Sequence, residues 1–347
     1  MIREAIAKLV SRKDLTAAEA EEVMQEIMHG DATLAQIGAF LVAFSMKGET
    51  VGEIAGFARA VRANAIHVEP RQRGLLDTCG TGGDGARTFN ISTTIAFVAA
   101  GAGQAVAKHG NRSASSQCGS ADLLQALGVK LDLMPEQVAQ CIDEVGLGFL
   151  FAPTLHPAFK PAVGPRKEVG VRTVFNILGP LCNPASAEMQ IIGVYDPQLV
   201  EPVGGVLREL GTGHSFVVHG AGGLDEFSTL GPTKVAEIIG EEMRGYTLDA
   251  QELGLPLASI EDIRGGTPQE NAVITLRILQ GETGPRRDIV LLNAAAALVA
   301  GEKARDFKEG IALAAESIDT GRALAKMKAF VEFTNSFDEA LTASGSR

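Results

Sequence analysis

Along the first 65 residues, apolar positions recur at helical spacing, and three of the apolar runs are preceded by a threonine. Ile2, Ile6, Leu9 and Val10 share one helical face. Thr16 precedes Ala17–Met28 with Glu19 three places on. Thr33 precedes Leu34–Met46, and Thr50 precedes Val51–Asn64 with Glu53 at the matching place. A hydroxyl followed three residues later by a glutamate is the capping box that starts a helix. The pattern predicts four helices with short connections and no strand. Such a bundle buries its apolar stripes against itself or against a partner subunit.

After Pro70 the period changes. Short apolar runs at Leu75–Asp77, Gln104–Ala107, Met189–Val194, Ser215–Val218 and Val235–Ile239 read as strands. Helical patterns over 92–101, 119–127, 135–145, 199–210, 289–300 and 303–319 alternate with them. Alternation of this kind predicts an α/β domain with a mainly parallel sheet and ligands at the carboxyl ends of its strands. Residues 254–286 carry no clear period, and the last dozen, including Thr342 to Arg347, are expected to fray. The expected division is a helical domain at 1–68, joined by helices from around 165–185, and an α/β domain at 69–347.

Composition narrows the function classes. The 347 residues are 46% hydrophobic and 21% charged, ordinary for a soluble globular protein. A net charge of -11 argues against broad nucleic-acid binding, which needs a basic face. The basic residues near 108–112 and 166–172 stand out against that background. Cys79, Cys118, Cys141 and Cys182 are widely spaced with no C-x-x-C pair, so buried reduced thiols are expected rather than zinc or disulfides. The charged N-terminus is no signal peptide, and the alanine-rich 290–300 stretch is too short to span a membrane. A cytoplasmic enzyme with no membrane partner is expected.

The chemistry concentrates in four segments. In the first, Leu75-Leu76-Asp77 runs into Gly80, Gly82, Gly83 and Gly85, and then Asn90 to Thr94 opens an apolar helix. A strand, a glycine loop and a helix start make a phosphate site: backbone N–H groups come close to the ligand and the helix N-terminus favours negative charge. Gly80, Gly82 and Gly85 fit G-x-G-x-x-G, but a dinucleotide site also needs an acid about 20 residues on. Lys108-His109-Gly110-Asn111-Arg112 follows the next strand instead. That cluster, with Ser113 to Ser116 and Gly119-Ser120-Ala121-Asp122, is the second segment and can wrap a phosphate or pyrophosphate. In the third, Arg166 is expected near a helix N-terminus, where it can grip a carboxylate with two parallel bonds. In the fourth, an apolar strand leads through His219 and a glycine run to Asp225-Glu226. Adjacent carboxylates beside a phosphate site point to magnesium, which takes hard oxygens. His109 and His156 are candidates to line the site; His29, His67 and His214 read as structural or surface residues.

Together these segments resemble the anthranilate phosphoribosyltransferases of tryptophan biosynthesis. The matching motifs run in order from Gly80-Thr81-Gly82-Gly83-Asp84 and Thr88-Phe89-Asn90-Ile91-Ser92-Thr93 to Lys108-His109-Gly110-Asn111-Arg112 and Ser115-Ser116 with Gly119-Ser120-Ala121-Asp122. They continue through His156-Pro157-Ala158, Arg166, Arg172-Thr173-Val174-Phe175-Asn176, Leu178-Gly179-Pro180-Leu181 and Asn183-Pro184 to Gly223-Leu224-Asp225-Glu226 and Arg287–Asn293. The likeness covers nearly the whole chain. It implies a small helical domain plus a large nucleoside-phosphorylase-like α/β domain, a homodimer formed through the helical domain, and Mg2+ as cofactor. The implied substrates are anthranilate and 5-phosphoribosyl 1-pyrophosphate. Donor contacts carried over are Gly80, Gly83, Asp84, Thr88, Asn90, Ile91, Ser92, Thr93, Lys108, His109, Gly110, Asn111, Arg112, Ser113, Ala114, Ser115, Ser116 and Ser120. Anthranilate contacts are Gly80, Asn111 and Arg166, and metal ligands are Ser92, Asp225 and Glu226. The implied catalytic set is Asp84, Lys108, Asn111 and Arg166. The alternatives are a pyrimidine nucleoside phosphorylase, which usually shows a Lys-His-Ser cluster, and a non-enzymatic nucleic-acid-binding relative.

Overall fold

A computed structural model describes residues 1–113 and 117–344, with side chains described through Phe337. Ala114, Ser115 and Ser116, three of the expected donor contacts, lie outside the described residues.

The chain opens with α1 (Ile2–Val10), α2 (Ala17–His29), α3 (Leu34–Lys47) and α4 (Val51–Ala63). Thr16, Thr33 and Thr50 each accept from the N–H three residues on, while Glu19, Gln36 and Glu53 return the bond. These reciprocal caps explain why the helices start where the sequence places them. Val10 is 70% exposed, so Ile2, Ala5 and Leu9 form the buried face of α1. Phe40, Phe44 and Phe57 pack ring against ring inside the bundle, with centroids 5.1 to 5.9 Å apart.

Next come β1 (Leu76–Gly80), α5 (Ile91–Gly101), β2 (Val106–Gly110), α6 (Ser120–Ala126), α7 (Pro135–Val145) and β3 (Leu147–Phe151). α8 (Ala152–Leu155), α9 (Lys160–Val169) and α10 (Phe175–Leu181) follow. Ala162, Phe175, Ile177, Leu178 and Leu181 from α9 and α10 share a core with the N-terminal helices. The chain then returns through β4 (Met189–Gly193), α11 (Val200–Glu209), β5 (His214–Gly220), β6 (Thr233–Ile239) and β7 (Glu242–Leu248). It ends with α12 (Pro268–Leu279), α13 (Pro285–Ala300), α14 (Phe307–Asp319) and α15 (Arg322–Ser344). α15 thus runs through most of the stretch expected to fray, and residues 345–347 lie outside the described residues.

The strands form one sheet in the order β3-β2-β1-β4-β5-β6-β7. β3 through β5 pair in parallel and β6 and β7 add antiparallel, so the expected mainly parallel sheet is present. Neighbouring residues on a strand feed opposite cores. Ile191, Phe216, Val218 and Val235 join α5 and α13 on one face; Ile192, Val217 and Ala236 join α11 and the helical bundle on the other. This period of two fixes the register, since a one-residue slip would exchange the faces.

Chain order reverses between β1 and β4, which lie side by side. In open α/β sheets, ligands bind outside the carboxyl ends of the strands at such a switch point. Here those ends are Gly80 and Gly193, paired with each other. Among the described residues, no helix is long and apolar enough to cross a membrane.

Candidate active site

The glycine loop leaves the sheet at this switch point. Gly82, Gly83 and Gly85 take φ of 65°, 74° and 74°, a region open to glycine at little steric cost. Gly80 serves a different need. A Cβ there would overlap the Asp225 carboxylate, and a Cβ on Gly193 would overlap the Asp225 carbonyl. The paired glycines leave the space in which the loop after β5 settles on the ends of β1 and β4. The Gly82 N–H donates to Asp225 Oδ2 at 2.8 Å, joining the two loops. On the outer side, Arg172 Nη2 donates to the Gly83 carbonyl, and the Arg172 guanidinium stacks 3.9 Å over the Tyr195 ring.

Beneath the loop lies a group of charges, Lys108 and Asp77 buried and Asp225 and Glu226 half-buried. Glu226 Oε1 accepts the Ser92 N–H at 3.1 Å, at the first turn of α5. Asn293 holds this loop in place, its Oδ1 accepting from Phe227 N at 2.9 Å and its Nδ2 donating to the Phe227 carbonyl at 2.8 Å. Burial, then the nearby Asp84 charge, pushes Asp225 up to about 7. Burial, then Asp225, raises Glu226 well above the ordinary glutamate value. Lys108, only 2% exposed, is the opposing cation: its Nζ donates to the Thr78 carbonyl and lies 3.4 Å from Ser92 Oγ. Burial lowers the Lys108 pKa, while Asp77 is the largest influence raising it. Asp77 is fully buried and accepts from His109 N at 3.0 Å and from Asn183 Nδ2 at 2.8 Å.

Lys108 therefore faces Asp77, Asp225 and Glu226, with Asp84 beside them, and negative charge is in excess. The chemistry of this donor set fits a magnesium ion: two half-buried carboxylates and the Ser92 hydroxyl are hard oxygens. Among the described residues, no three acidic, histidine or cysteine side chains close on a metal by themselves. That suits an ion that keeps positions for water and substrate phosphate.

The remaining expected donor residues surround the start of α5. Thr88 forms an isolated bridge with Arg264, and Thr93 Oγ1 is buried without a protein partner. Ile91 differs from its neighbours: its side chain sits in the core, and its N–H is spent on the Phe89 carbonyl at 2.8 Å. The second loop is closed by Asp122, which accepts from Arg112 Nη1, Ser113 N and Gly119 N at 2.9 to 3.1 Å. Ser120 Oγ meets both the N–H and the carbonyl of Asn111, each at 3.2 Å. Lys108, His109 and Gly110 stand on β2 itself rather than in the loop after it.

A line of rings connects this sheet end to Arg166. His109 lies 5.1 Å from His156, His156 lies 5.5 Å from Phe159, and Phe159 lies 5.4 Å from Phe175. The Arg166 guanidinium sits 4.9 Å from the centre of the Phe175 ring. Burial lowers the pKa of His109 to about 3 and of His156 to about 4, so both are neutral near pH 7. One expectation is corrected. Arg166 stands in the last turn of α9, not near its N-terminus, because the helix already starts at Lys160-Pro161 and ends on a left-handed Gly170. The helix dipole there does not favour an anion. Among the described residues, no carboxylate lies in ion-pair range of Arg166, so any carboxylate grip rests on the guanidinium itself.

The sequence placed Asp77 at a strand end and Asn183 in a matching motif without giving either a role in the site, and Gly193 went unnoticed. Gly193 carried a usable signal, a glycine near the carboxyl end of a predicted strand.

A helical bundle, a largely parallel sheet and a glycine loop seated on an acid pair at the switch point define a two-part glycosyl transferase. Residues 3–65 match the glycosyl transferase family, helical bundle domain, and residues 72–324 match the glycosyl transferase family, a/b domain. Within that class the chain belongs to the anthranilate phosphoribosyltransferase family. It is 54% identical to the Moorella thermoacetica anthranilate phosphoribosyltransferase, over 97% of this chain and 99% of that one. The crystal structure of the Thermus thermophilus enzyme superposes with a TM-score of 0.90 at 46% identity, covering 95% of this chain and 99% of that chain. The Saccharomyces cerevisiae enzyme, solved in complex with PRPP and Mg, gives 0.89 at 29% identity, covering 96% and 98%.

Proposed function

We propose that this chain transfers the 5-phosphoribosyl group of 5-phosphoribosyl 1-pyrophosphate to the amine of anthranilate. The products are N-(5-phosphoribosyl)anthranilate and pyrophosphate, in the second step from chorismate in tryptophan biosynthesis. The observation that carries this reading is the seating of the glycine loop on Asp225 at the switch point, in a chain that matches the family along 97% of its length.

The donor's phosphates take the remaining N–H groups of the glycine loop and the Thr93 N–H of α5, with Gly80, Gly83, Asp84, Thr88, Asn90, Thr93 and Lys108 around them. Asn111, Arg112, Ser113 and Ser120 wrap the other end. Ser92, Asp225 and Glu226 hold magnesium, which when bound neutralises charge on the departing pyrophosphate. The amine nitrogen forms its bond to C1 as the C1–pyrophosphate bond breaks, the bonding pair leaving on pyrophosphate and the amine proton passing to water. Because the amine is already a nucleophile, the protein's main work is to position it. Arg166 grips the anthranilate carboxylate, Asn111 orients the acceptor, and the neutral rings of His156 and Phe159 give its aromatic face an apolar seat.

We further propose a homodimer through the N-terminal helical unit, in the cytoplasm. Val10, Leu34 and Met46 are 70%, 60% and 64% exposed there, and a partner subunit would cover them.

The test is anthranilate consumption, followed by fluorescence, with and without the phosphoribosyl donor and magnesium, alongside thymidine with phosphate as the nucleoside phosphorylase arm. Arg166→Ala should raise the anthranilate KM by on the order of 10- to 100-fold, the loss of a charged paired contact, with the donor KM nearly unchanged. Equal effects on both constants would remove Arg166 from the acceptor site.

A further inference from the structure

Asn90 begins α5, and an asparagine in that place ordinarily turns its side-chain oxygen onto the first N–H groups of its own helix. Here it makes no such cap. Its Oδ1 accepts from Asn271 Nδ2 at 2.9 Å, and its Nδ2 donates to the Cys118 carbonyl at 3.1 Å. Asn271 lies in the first turns of α12 and is 1% exposed. Its own orientation is fixed, because its Oδ1 accepts the Gly266 N–H at 2.8 Å and so its amide nitrogen faces Asn90. Thr94 Oγ1 and Thr275 Oγ1, 3.1 Å apart, tie α5 to α12 a second time.

The chain before α12 meets the same place. Gly265 N donates to the Arg87 carbonyl at 2.9 Å, and Phe89 N donates to the Ile263 carbonyl at 3.2 Å. A Cβ on Gly265 would overlap the backbone of Thr88 and Phe89. An adjoining cleft of about 140 Å³ is lined by Arg87, Arg264 and Asn271 among others, with no acidic residue on its wall.

We infer that Asn271 is a positioning residue of the donor site. The Ile91 and Ser92 N–H groups are already held by the Phe89 carbonyl and Glu226. By holding the Asn90 side chain away from α5, Asn271 keeps the Thr93 N–H free for a phosphate group, while Asn90 ties the segment carrying Cys118 to the same point. Without Asn271, Asn90 Oδ1 turns onto the Thr93 N–H of its own helix and competes with the phosphate. The inference rests on the reading of α5 as the donor's phosphate seat.

Asn271→Asp keeps the size and the Gly266 contact but loses the donor to Asn90. Its donor KM should rise about tenfold, the worth of one displaced contact, with the anthranilate KM nearly unchanged. The rise in unfolding midpoint conferred by magnesium pyrophosphate should shrink in step. Adding Asn90→Ala should return the donor KM to that of Asn90→Ala alone, since no side chain remains to turn. An unchanged donor KM with an unchanged pyrophosphate shift overturns the inference, and so does an equal rise in both KM values. An inactive wild type counts against the proposed reaction alone, and the pyrophosphate shift still decides the role of Asn271.

Discussion

Asp225→Asn combined with Glu226→Gln is expected to lower kcat/KM on the order of 1000-fold, the loss of several kcal/mol of charge stabilisation on the departing pyrophosphate. The same variant should be more stable than the wild type without magnesium. Both replacements are isosteric, and each amide oxygen can keep its N–H contact, Gly82 to residue 225 and Ser92 to residue 226. What disappears is the desolvation of the two carboxylates and their repulsion with each other and Asp84, which together outweigh the attraction of Lys108, since both pKa values are raised. The gain has a defined pH dependence. The folded Asp225 pKa, about 7, exceeds the ordinary aspartate value, so the folded protein holds a proton that the unfolded chain has released. Wild-type stability therefore falls as pH rises through about 7, and the advantage of the variant is larger at pH 8 than at pH 5. Thermal unfolding with and without magnesium reads both effects. A double amide variant that keeps its magnesium-dependent turnover would remove the pair from the metal site.

Lys108→Met should act in the opposite direction on stability. Lys108 is the buried cation whose charge acts on Asp77, Asp225 and Glu226, and its removal takes that countercharge away from them. Breaking a buried charge arrangement by removing one partner costs about 3–5 kcal/mol, a fall in Tm on the order of 10 °C. Turnover should fall with it, since Nζ lies at the Ser92 hydroxyl and under the donor loop. Placed in the Asp225→Asn, Glu226→Gln background, the same substitution should cost less, by the share those two carboxylates supply, while Asp77, the largest partner, remains uncompensated. Equal costs in both backgrounds would show that Lys108 and the acid pair are not coupled.

Local chemistry was legible in the sequence. The threonine caps of α2, α3 and α4 and the glycine run after β1 depend on neighbours a few residues apart, and they stand where the pattern puts them. β3 was not legible, because a buried parallel strand such as Leu147–Phe151 has no polar alternation to announce it. β7 is a charged edge strand of low apolar content. α12 carries its own signature, Thr267 capping over Pro268 to Glu270, inside a segment whose mixed polarity hid it. The parts of the site that escaped notice have distant partners. Asp77 reads as the polar end of a strand until Asn183, more than 100 residues on, donates to it. Asn271 reads as an ordinary helical residue until Asn90 is found against it. Arg166 was legible as a cation near the site, but its place at the end of α9 follows from where Pro161 starts the helix.

The central claim is that the loop at Gly80–Gly85, seated on the Asp225-Glu226 pair, holds a phosphoribosyl pyrophosphate donor beside an anthranilate acceptor. Its most direct test is the stoichiometry of a single reaction: anthranilate fluorescence lost against pyrophosphate released, with magnesium present and then chelated. The account predicts one pyrophosphate for each anthranilate consumed and no turnover after chelation. Anthranilate left unconsumed while thymidine is cleaved by phosphate would contradict it.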